Sequence, residues 1–438
     1  RGYSDFLVIH KIPCCVQGLM NHLNEKNTME LINSNTTEHA SASSPSSNEA
    51  LSDYYTSDVI VVGAGISGLT VANELKVSGC DVCVFEKARG TGGRLGSKRV
   101  AVDSNHLVNG SKATEDSNAS FDLGASVFQA KSTEFKRHLQ ELMLQGVVSK
   151  ANDSSGHQGD SDNYVAVPRN SMLTRHMSRN LNVTFSKKIS KIERKDGKWY
   201  LFAVSQTDDR QPQASQPLIT QEVIACCRHL VLSAPAEQAH TLLPAEHPAL
   251  SWLRNIHSDP VFVSSMVLNT HSISKEQLET IKQFSNDVID NISIEHMKAE
   301  RNHSGYQIIK LTTTVEWSLQ YLDKELSYVG EELKQAFNQM LSTVRADEVE
   351  VIKQYTHRWL YSQYSQLIKS TKGYLSFSDN LHLVGDYFDV ANEADSEKEQ
   401  NIKGVERAYI SGQRLVTHLL ETGAFTKHPA NSTHAESL

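Results

Sequence analysis

A glycine-rich turn placed directly after a short apolar run constrains the fold of this chain more than any other feature. Residues 58–62 (Asp-Val-Ile-Val-Val) have the β-branched pattern of a buried parallel strand. Gly63, Gly65 and Gly68 follow at G-x-G-x-x-G spacing. In that spacing the first glycine allows a tight turn, the second lets a pyrophosphate approach the backbone, and the third lets helix and strand pack closely.

The sequence after this turn supplies the other parts of a dinucleotide-binding unit. A second apolar run, residues 82–85, ends in Glu86, where an acidic side chain can accept the ribose hydroxyls. The helix between the two runs directs its N–H groups and its positive dipole end at the phosphates. A lone glycine motif is weak evidence, but strand, glycines, helix, strand and acid in this order predict a Rossmann-like fold of the α/β class.

Composition and charge limit the class of protein. The 438 residues suffice for two or three domains, and a hydrophobic content of 39% with 21% charged residues is ordinary for a globular protein. The formal net charge of −8 argues against nucleic-acid binding, which needs a basic surface. We expect no transmembrane segment, because no run reaches the roughly 18 consecutive apolar residues that one requires.

The six cysteines are too few and too clustered for a disulfide framework in a chain of this length. Cys80 and Cys83 have the C-x-x-C spacing of redox and zinc sites, but no second such pair or Cys/His pair lies nearby in the sequence. We therefore expect Cys83 to be an ordinary residue of the second strand. We also expect no metal site, and a reducing, cytoplasmic location.

Two further motifs favour FAD over NAD as the dinucleotide. Residues 92–94 (Gly-Gly-Arg) combine a flexible turn with a guanidinium that suits phosphate, although a plain turn with a surface arginine is the alternative. Gly385 and Asp386 end a late apolar run, and residues 405–408 begin a helix after it. A late strand and helix would cover the far end of a longer cofactor, with Asp386 accepting from the ribityl hydroxyls and the helix N-terminus facing the flavin. Taken alone, Gly-Asp is also a common turn.

Together these motifs resemble those of the amine-oxidase-like FAD flavoproteins and, within that group, the renalase family and its bacterial relatives. The resemblance spans residues 58–422. The motifs that carry it are residues 86–94, 121–125 (Phe-Asp-Leu-Gly-Ala), 167–168 with Met172, 316–318 (Glu-Trp-Ser), 357–359 (His-Arg-Trp) and 385–386. The first two are shared widely among FAD amine oxidases and desaturases, whereas the middle ones point to renalase.

The resemblance implies a set of contacts to non-covalent FAD. The residues implied are Gly63, Gly65, Ser67, Gly68, Glu86, Lys87, Gly93, Arg94, Gly124, Ala125, Ser126, Val127, Ile189, Asp386, Glu406 and Ala408. The chain departs from the family pattern at Ser126 and Val127, where relatives usually have Gln and an aromatic residue, and at Arg407, which replaces a small residue. These departures lie near the expected isoalloxazine and bear on the substrate. We expect no covalent link through a C-terminal cysteine, because the last cysteine in the sequence is Cys227.

The implied chemistry is hydride transfer from a small organic substrate to the flavin, with reoxidation by O2 to H2O2. The flavin carries that step, so we expect no acid–base triad. Phe128, Trp359 and Tyr361 are candidate pocket-lining residues, with ordinary packing as the alternative for each. If the stretch that contains His357, Trp359 and Tyr361 is a strand, these three residues share one face. The resemblance suggests isomeric dihydro-NAD(P) as the substrate. An amine oxidase or desaturase-like enzyme with another substrate, and a non-catalytic FAD-binding protein, are the alternatives.

The sequence texture predicts two domains between disordered tails. We expect an FAD-binding domain at residues 58–168, 183–250 and 370–425. The expected substrate domain, with a mixed or antiparallel sheet, comprises residues 169–182 and 251–369. The predicted tails are residues 1–57 and 426–438, and the first is rich in Ser, Asn, Thr and Glu from residue 33 onward. Because the sequence begins with Arg, Met20 and Met29 are candidate initiators.

Overall fold

The computed structural model describes nine stretches of the chain. They are residues 54–102, 118–151, 162–205, 220–269, 273–301, 306–346, 349–370, 372–391 and 402–425. Apart from Ser205 and Thr220, these residues belong to one compact unit. Residues 1–53 and 426–438, where most of the predicted tails fall, lie outside the described residues. The predicted domain boundaries stay predictions.

The described strands and α-helices have the following bounds. The strands are β1 (Tyr55–Val62), β2 (Val82–Phe85), β3 (Ser97–Ala101), β4 (Asn118–Asp122), β5 (Phe128–Gln129), β6 (Val148–Lys150), β7 (Asn163–Ala166), β8 (Asn182–Thr184), β9 (Ile189–Lys195), β10 (Lys198–Ser205), β11 (Thr220–Leu232), β12 (Ser258–Leu268), β13 (Ile289–Ile294), β14 (Gln307–Thr313), β15 (Val351–Tyr364), β16 (Leu375–Ser376) and β17 (Leu381–Leu383). The helices are α1 (Ile66–Val77), α2 (Thr133–Leu144), α3 (Ser171–Met177), α4 (Ala236–Leu242), α5 (Ala249–Leu253), α6 (Lys275–Lys282), α7 (Val315–Gln320), α8 (Leu326–Thr343) and α9 (Gly404–Glu421).

A mainly parallel sheet forms the first layer of the fold. Its strands run in the order β16-β17-β11-β1-β2-β8, and β10 and β9 extend it from β11. The β16–β17 and β9–β10 pairs are antiparallel. The valine and isoleucine residues of β1 and β2 are buried on both faces, as the apolar runs predict. Cys83 lies inside β2 and is fully buried, which confirms its predicted place in that strand. The predicted α/β class and Rossmann-like unit are therefore confirmed.

A four-stranded sheet in the order β13-β14-β12-β15 forms the second layer. All of its neighbouring strands are antiparallel, one of the two arrangements that the sequence predicts. Helix α8 packs against one face of this sheet, where Phe337 and Met340 are fully buried among apolar residues of β12, β13 and β14. The opposite face approaches the short strands β3 and β4, since Val267 and Ile308 pack with Phe121.

None of the described helices has both the length and the apolar character that crossing a bilayer requires.

Candidate functional site

Four parallel strands of the first sheet end at the same edge. The register pairs Val62 with Phe85 and with Leu232, and it pairs Leu232 with Leu383. The residues that follow these strands therefore lie side by side, as expected for the carboxyl edge where parallel sheets bind ligands. They include the glycine turn after β1, Glu86 after β2, Ser233 after β11 and the Gly385–Asp386 pair after β17.

The glycine turn is packed so closely that side chains are excluded at two of its positions. Gly63 has a φ of +111°, which only glycine adopts readily. The Ser233 hydroxyl donates to the carbonyl oxygens of Val62 and Gly63, at 3.0 and 2.9 Å. A Cβ atom on Gly68 would lie 2.3 Å from the Gly63 oxygen and 2.4 Å from Ser233 Oγ. This contact is the close helix–strand packing that the third glycine of the motif predicts.

Open space lies in front of the middle glycine. Apart from its two chain neighbours, no described residue has an atom within 4 Å of a Cβ atom built on Gly65. Helix α1 begins directly after Gly65, with no side-chain cap and no acidic residue in its first turn. Gly92, in the Gly-Gly-Arg turn, donates from its N–H to the Ala64 oxygen (3.3 Å), which brings that turn beside α1. The start of α1 thus offers free N–H donors and a positive dipole end to an anion.

Glu86 is held at the edge by the backbone. Its Oε2 accepts from the Ala64 N–H and its Oε1 from the Ala88 N–H, both at 2.8 Å. Each carboxylate oxygen keeps a further lone pair that can accept a hydroxyl. Lys87, the next residue, donates instead to the Gln238 side chain (3.0 Å).

Arg94 and Asp386 form a paired contact at the same edge. The guanidinium donates from Nη1 and Nη2 to the two carboxylate oxygens, at 2.7 and 2.5 Å. Nη1 also donates to the Ser362 carbonyl in β15, at 3.1 Å. The Tyr364 ring lies 5.7 Å from the guanidinium carbon. These contacts leave two of the five guanidinium N–H donors for another acceptor.

Residues 123–126, termed the Gly124 segment, are fixed through their carbonyl groups. Each of the four carbonyl oxygens accepts a hydrogen bond from a side chain on another element. The donors are Trp359 Nε1 to Leu123 (2.9 Å), Lys310 Nζ to Gly124 (2.6 Å), and Asn170 Nδ2 to Ala125 and Ser126 (2.7 and 3.3 Å). With its carbonyls directed into the protein, the segment adjoins Arg94, whose carbonyl accepts from the Ala125 N–H at 3.0 Å.

Comparison with known proteins agrees with this geometry. Residues 61–142 match the family model described as an NAD(P)-binding Rossmann-like domain. The chain contains a Rossmann-like dinucleotide-binding domain.

One solved structure shares the fold beyond this domain. A protein from Exiguobacterium sp. 255-15, provisionally named a protoporphyrinogen oxidase, aligns over 84% of this chain and 99% of its own, with 11% identity and a TM-score of 0.57. A flavoprotein/dehydrogenase from Cytophaga hutchinsonii covers 84% and 79%, with 12% identity and a TM-score of 0.43. A redesigned triple mutant of putrescine oxidase covers 84% and 100%, with 12% identity and a TM-score of 0.49. The first match shows a shared fold, and the other two scores are too low to add to it.

Side chains at the start of α9 contact neighbouring segments of the dinucleotide-binding domain. The buried Glu406 carboxylate accepts from the N–H groups of Lys131 and Ser132 and from the Ser132 hydroxyl, at 2.6–3.0 Å. Its side chain therefore holds the start of α2. Arg407 donates to the Asp386 carbonyl (3.1 Å) and to the Ile402 carbonyl (2.6 Å), and burial lowers the pKa of its guanidinium. Direct cofactor contacts of Glu406 and Ala408 stay predictions.

The three aromatic candidates lie in different surroundings. Stretch 351–364 is a strand, in which the rings of His357 and Trp359 lie 4.6 Å apart and Trp359 reaches the Gly124 segment. The register with β12 is irregular between Trp359 and Gln363, so the shared face of Tyr361 stays a prediction. Burial raises the pKa of Tyr361, which lies near Glu237 and Gln238. Phe128 packs in a buried apolar cluster, with its ring centroid 6.4 Å from that of Tyr164. Trp359 therefore reaches the Gly124 segment by a hydrogen bond, whereas Phe128 lies in an apolar cluster against which Ala125 of that segment packs.

Two other predicted contacts occupy the interior of the domain. Ile189 begins β9 and is buried in the core formed with Trp199. Ser67 is buried in α1, and Gly412 of α9 packs against its carbonyl. By contrast, Val127 is 40% exposed. Their contacts with a cofactor remain predictions.

A buried cluster of charged residues beneath the Gly124 segment was missed at the level of sequence. It comprises Asp122, Glu295, Lys298, Arg301 and Lys310. Burial acts to raise the pKa of Asp122, but Lys298 and Arg301 outweigh it and lower that pKa well below its usual range. Of these five residues, only Asp122 lies in one of the sequence motifs described above.

Proposed function

We propose that this protein is an FAD-dependent oxidoreductase of the oxidase type that holds FAD non-covalently at the carboxyl edge of the parallel sheet. One observation carries the proposal. The uncapped start of α1, the Glu86 carboxylate and the Arg94–Asp386 pair meet at that edge, although Arg94 and Asp386 are 292 residues apart in sequence. The polar groups thus extend well beyond the glycine turn, which favours a long cofactor.

The residues present fit FAD in chemical type. The open space at Gly65 and the free N–H groups of α1 suit the pyrophosphate. Glu86 keeps lone pairs for the ribose hydroxyls, and Arg94 keeps two N–H donors for phosphate or ribityl oxygens. Asp386 lies 10% exposed at the strand end, where its carboxylate can accept from ribityl hydroxyls.

The Gly124 segment and β15 would form the part of the site that holds the substrate. When bound, FAD would supply a hydride acceptor that O2 can reoxidise, with release of H2O2. The protein would orient the substrate and exclude water, and we assign these tasks to Trp359, Tyr361 and the backbone at Ser126. The motifs shared with the renalase family support isomeric dihydro-NAD(P) as the hydride donor.

The visible spectrum of the purified protein during anaerobic titration tests this function. We expect a yellow protein that the 2- and 6-dihydro isomers of NAD(P) bleach, and whose colour returns with air and one equivalent of H2O2. Bleaching by amines alone would support an amine oxidase instead. A yellow protein that no reductant of either class bleaches would support a non-catalytic FAD-binding protein, and a colourless protein that takes up no FAD would contradict the proposal.

A further inference from the structure

The buried charge cluster contains more cations than its ion pairs require. Lys298 Nζ lies 3.1 Å from Asp122 Oδ2 and 2.5 Å from Glu295 Oε1. Arg301 Nη1 contacts the same two carboxylates, at 3.2 Å from Glu295 Oε2. Two carboxylates and two cations are therefore matched in direct contacts. Lys310 is a third cation, and it has no carboxylate within 4 Å among the described residues.

Lys310 is a charged residue that is fully buried in the middle of a strand. It lies in the middle of β14, opposite Ser265 of β12 and Ser293 of β13, and it is fully buried. A buried charge without a paired counter-charge is costly, so such residues usually serve a site. The only hydrogen bond recorded for its ammonium group, among the described residues, goes to the Gly124 carbonyl, at 2.6 Å.

The peptide that Lys310 contacts is also the one that packs on Arg94. A Cβ atom on Gly124 would lie 1.8 Å from the Arg94 carbonyl oxygen, so the two backbones are in close contact. The N–H at the other end of the Gly124–Ala125 peptide donates to that same oxygen, at 3.0 Å. Lys310 therefore polarises a hydrogen-bonded chain that ends at the Arg94 turn.

We infer that Lys310 is a positioning residue of the FAD site, which holds the Gly124–Ala125 peptide against Arg94 and places one unmatched positive charge beneath the site. The inference rests on the proposed function. A positive charge close to a bound flavin favours its more negatively charged, reduced state and so raises its midpoint potential. The four other charges of the cluster balance one another, so this effect belongs to Lys310.

The charge on Lys310 also gives the site a pH dependence. Burial lowers the pKa of its ammonium group to about 8. The charged groups that face it are Glu295, Lys298, Asp122 and Arg301, and they act in opposite directions. Lys310 is therefore charged at pH 7 and loses its proton as the pH rises through about 8.

Lys310→Met tests the inference, with Lys282→Met, at an exposed lysine of α6, as the matched control. The probe is the midpoint potential of bound FAD, measured by anaerobic dithionite titration against a reference dye. At pH 7 we expect K310M to shift the equilibrium at least tenfold toward oxidised FAD, which is about 30 mV for a two-electron couple. We expect the wild-type and K310M potentials to converge above pH 8, and K282M to behave as wild type throughout.

Failure of the Lys310 inference can be distinguished from failure of the proposed function. Equal potentials for FAD-bound wild type and K310M at pH 7 would overturn the inference and leave the proposed function intact. A K310M protein that does not fold would also overturn it, because Lys310 would then be needed to neutralise the cluster. A wild-type protein that binds no FAD would contradict the proposed function itself.

Discussion

The glycine turn depends on the absence of a Cβ atom at single residues. Gly63 and Gly68 lie so close to Ser233 that any side chain would meet backbone or hydroxyl oxygen. Gly65 faces open space, although its φ of −86° and ψ of −176° suit an ordinary residue. The same motif therefore contains glycines required by packing and a glycine whose missing side chain leaves room for a ligand.

Gly68→Ala should destabilise the fold. The new methyl group would lie 2.3 Å from the Gly63 oxygen, a backbone atom that cannot move away cheaply. We expect the free energy of unfolding to fall by about 1–3 kcal/mol, the usual cost of overpacking. Chemical denaturation of the FAD-free protein measures it.

Gly65→Ala should separate binding from stability. Apart from its chain neighbours, its methyl group meets no described atom within 4 Å, so we expect the unfolding free energy of the FAD-free protein not to fall. It fills the space before α1, so we expect FAD to bind at least about tenfold more weakly, or 1.4 kcal/mol. Titration of FAD by fluorescence checks this. An FAD affinity equal to that of the wild type would show that the space at Gly65 has no role in binding.

At the scale of elements, side chains join strands and helices that the sequence leaves separate. His229 of β11 and His382 of β17 are buried side by side, with 3.2 Å between His229 Nδ1 and His382 Nε2. His382 Nδ1 lies 2.9 Å from the Ser376 hydroxyl in β16. Burial lowers the pKa of His229 to about 4 and that of His382 to about 3. Three strands of the first sheet therefore share a pair of neutral imidazoles.

This histidine pair should make the fold sensitive to acid. In the unfolded chain, histidine side chains are protonated at about pH 6.5. In the folded protein, His229 and His382 are protonated only at about pH 4 or below. Stability is thus fully present above pH 6.5 and declines as the pH falls toward 4. In thermal melts from pH 7 to 4, we expect His382→Gln to have a shallower fall in Tm than the wild type. Parallel curves would contradict the assignment.

Glu406 joins α9 to the start of α2. Its carboxylate accepts every hydrogen bond that Lys131 and Ser132 direct at it, a task that needs acceptors on both oxygens. Glu406→Gln replaces one acceptor with a donor, and we expect the unfolding free energy to fall by about 1–3 kcal/mol. Glu141→Gln, at an exposed carboxylate of α2, is the control and should leave the denaturation midpoint unchanged. Similar midpoints for the two variants would show that the buried carboxylate does not hold α2.

At the scale of the whole molecule, the site is built from distant parts of the chain. The glycine turn and Arg94 come from its first quarter, and Asp386 follows the last strand of the parallel sheet. Trp359 and Lys310 reach the Gly124 segment from the antiparallel sheet. A cofactor that bridges these parts would stabilise the fold as one unit, since a ligand that binds only the native state adds its binding free energy to stability.

Asp386→Asn should weaken this coupling. The amide can accept from only one oxygen and carries no charge, so it loses the paired contact with Arg94 and an acceptor for ribityl hydroxyls. At an FAD concentration that saturates the wild-type protein, we expect the FAD-induced rise in Tm of D386N to be at most half that of the wild type. Asp162→Asn, which removes an exposed ion pair with Lys136 (3.2 Å), is the control and should keep the full rise. An undiminished rise in D386N would contradict a role of Asp386 at the cofactor.

Much of the architecture could be predicted because its signals are local. The β-branched runs, the glycine spacing and the acid after β2 lie within about 30 residues, the usual length of a βαβ unit. The helical spacing of apolar residues over 326–344 is likewise a local signal, and α8 spans Leu326–Thr343. The partner of Glu406 could not be predicted in this way. An acid in the first turn of a helix reads as a favourable dipole contact, whichever group its side chain meets.

The sequence by itself determined the Rossmann-like unit and the order of its parts, and it predicted the chemical class of the ligand, because hydrophobic period and turn chemistry act between near neighbours in the chain. Only the tertiary structure decided which charges meet. Arg94 and Asp386 pair across 292 residues, and Lys310 reaches Gly124 across 186. Such contacts depend on how two sheets pack, and burial then sets the strength of each charge. Neither the packing of the two sheets nor the burial of each charge can be read from the order of residues along the chain.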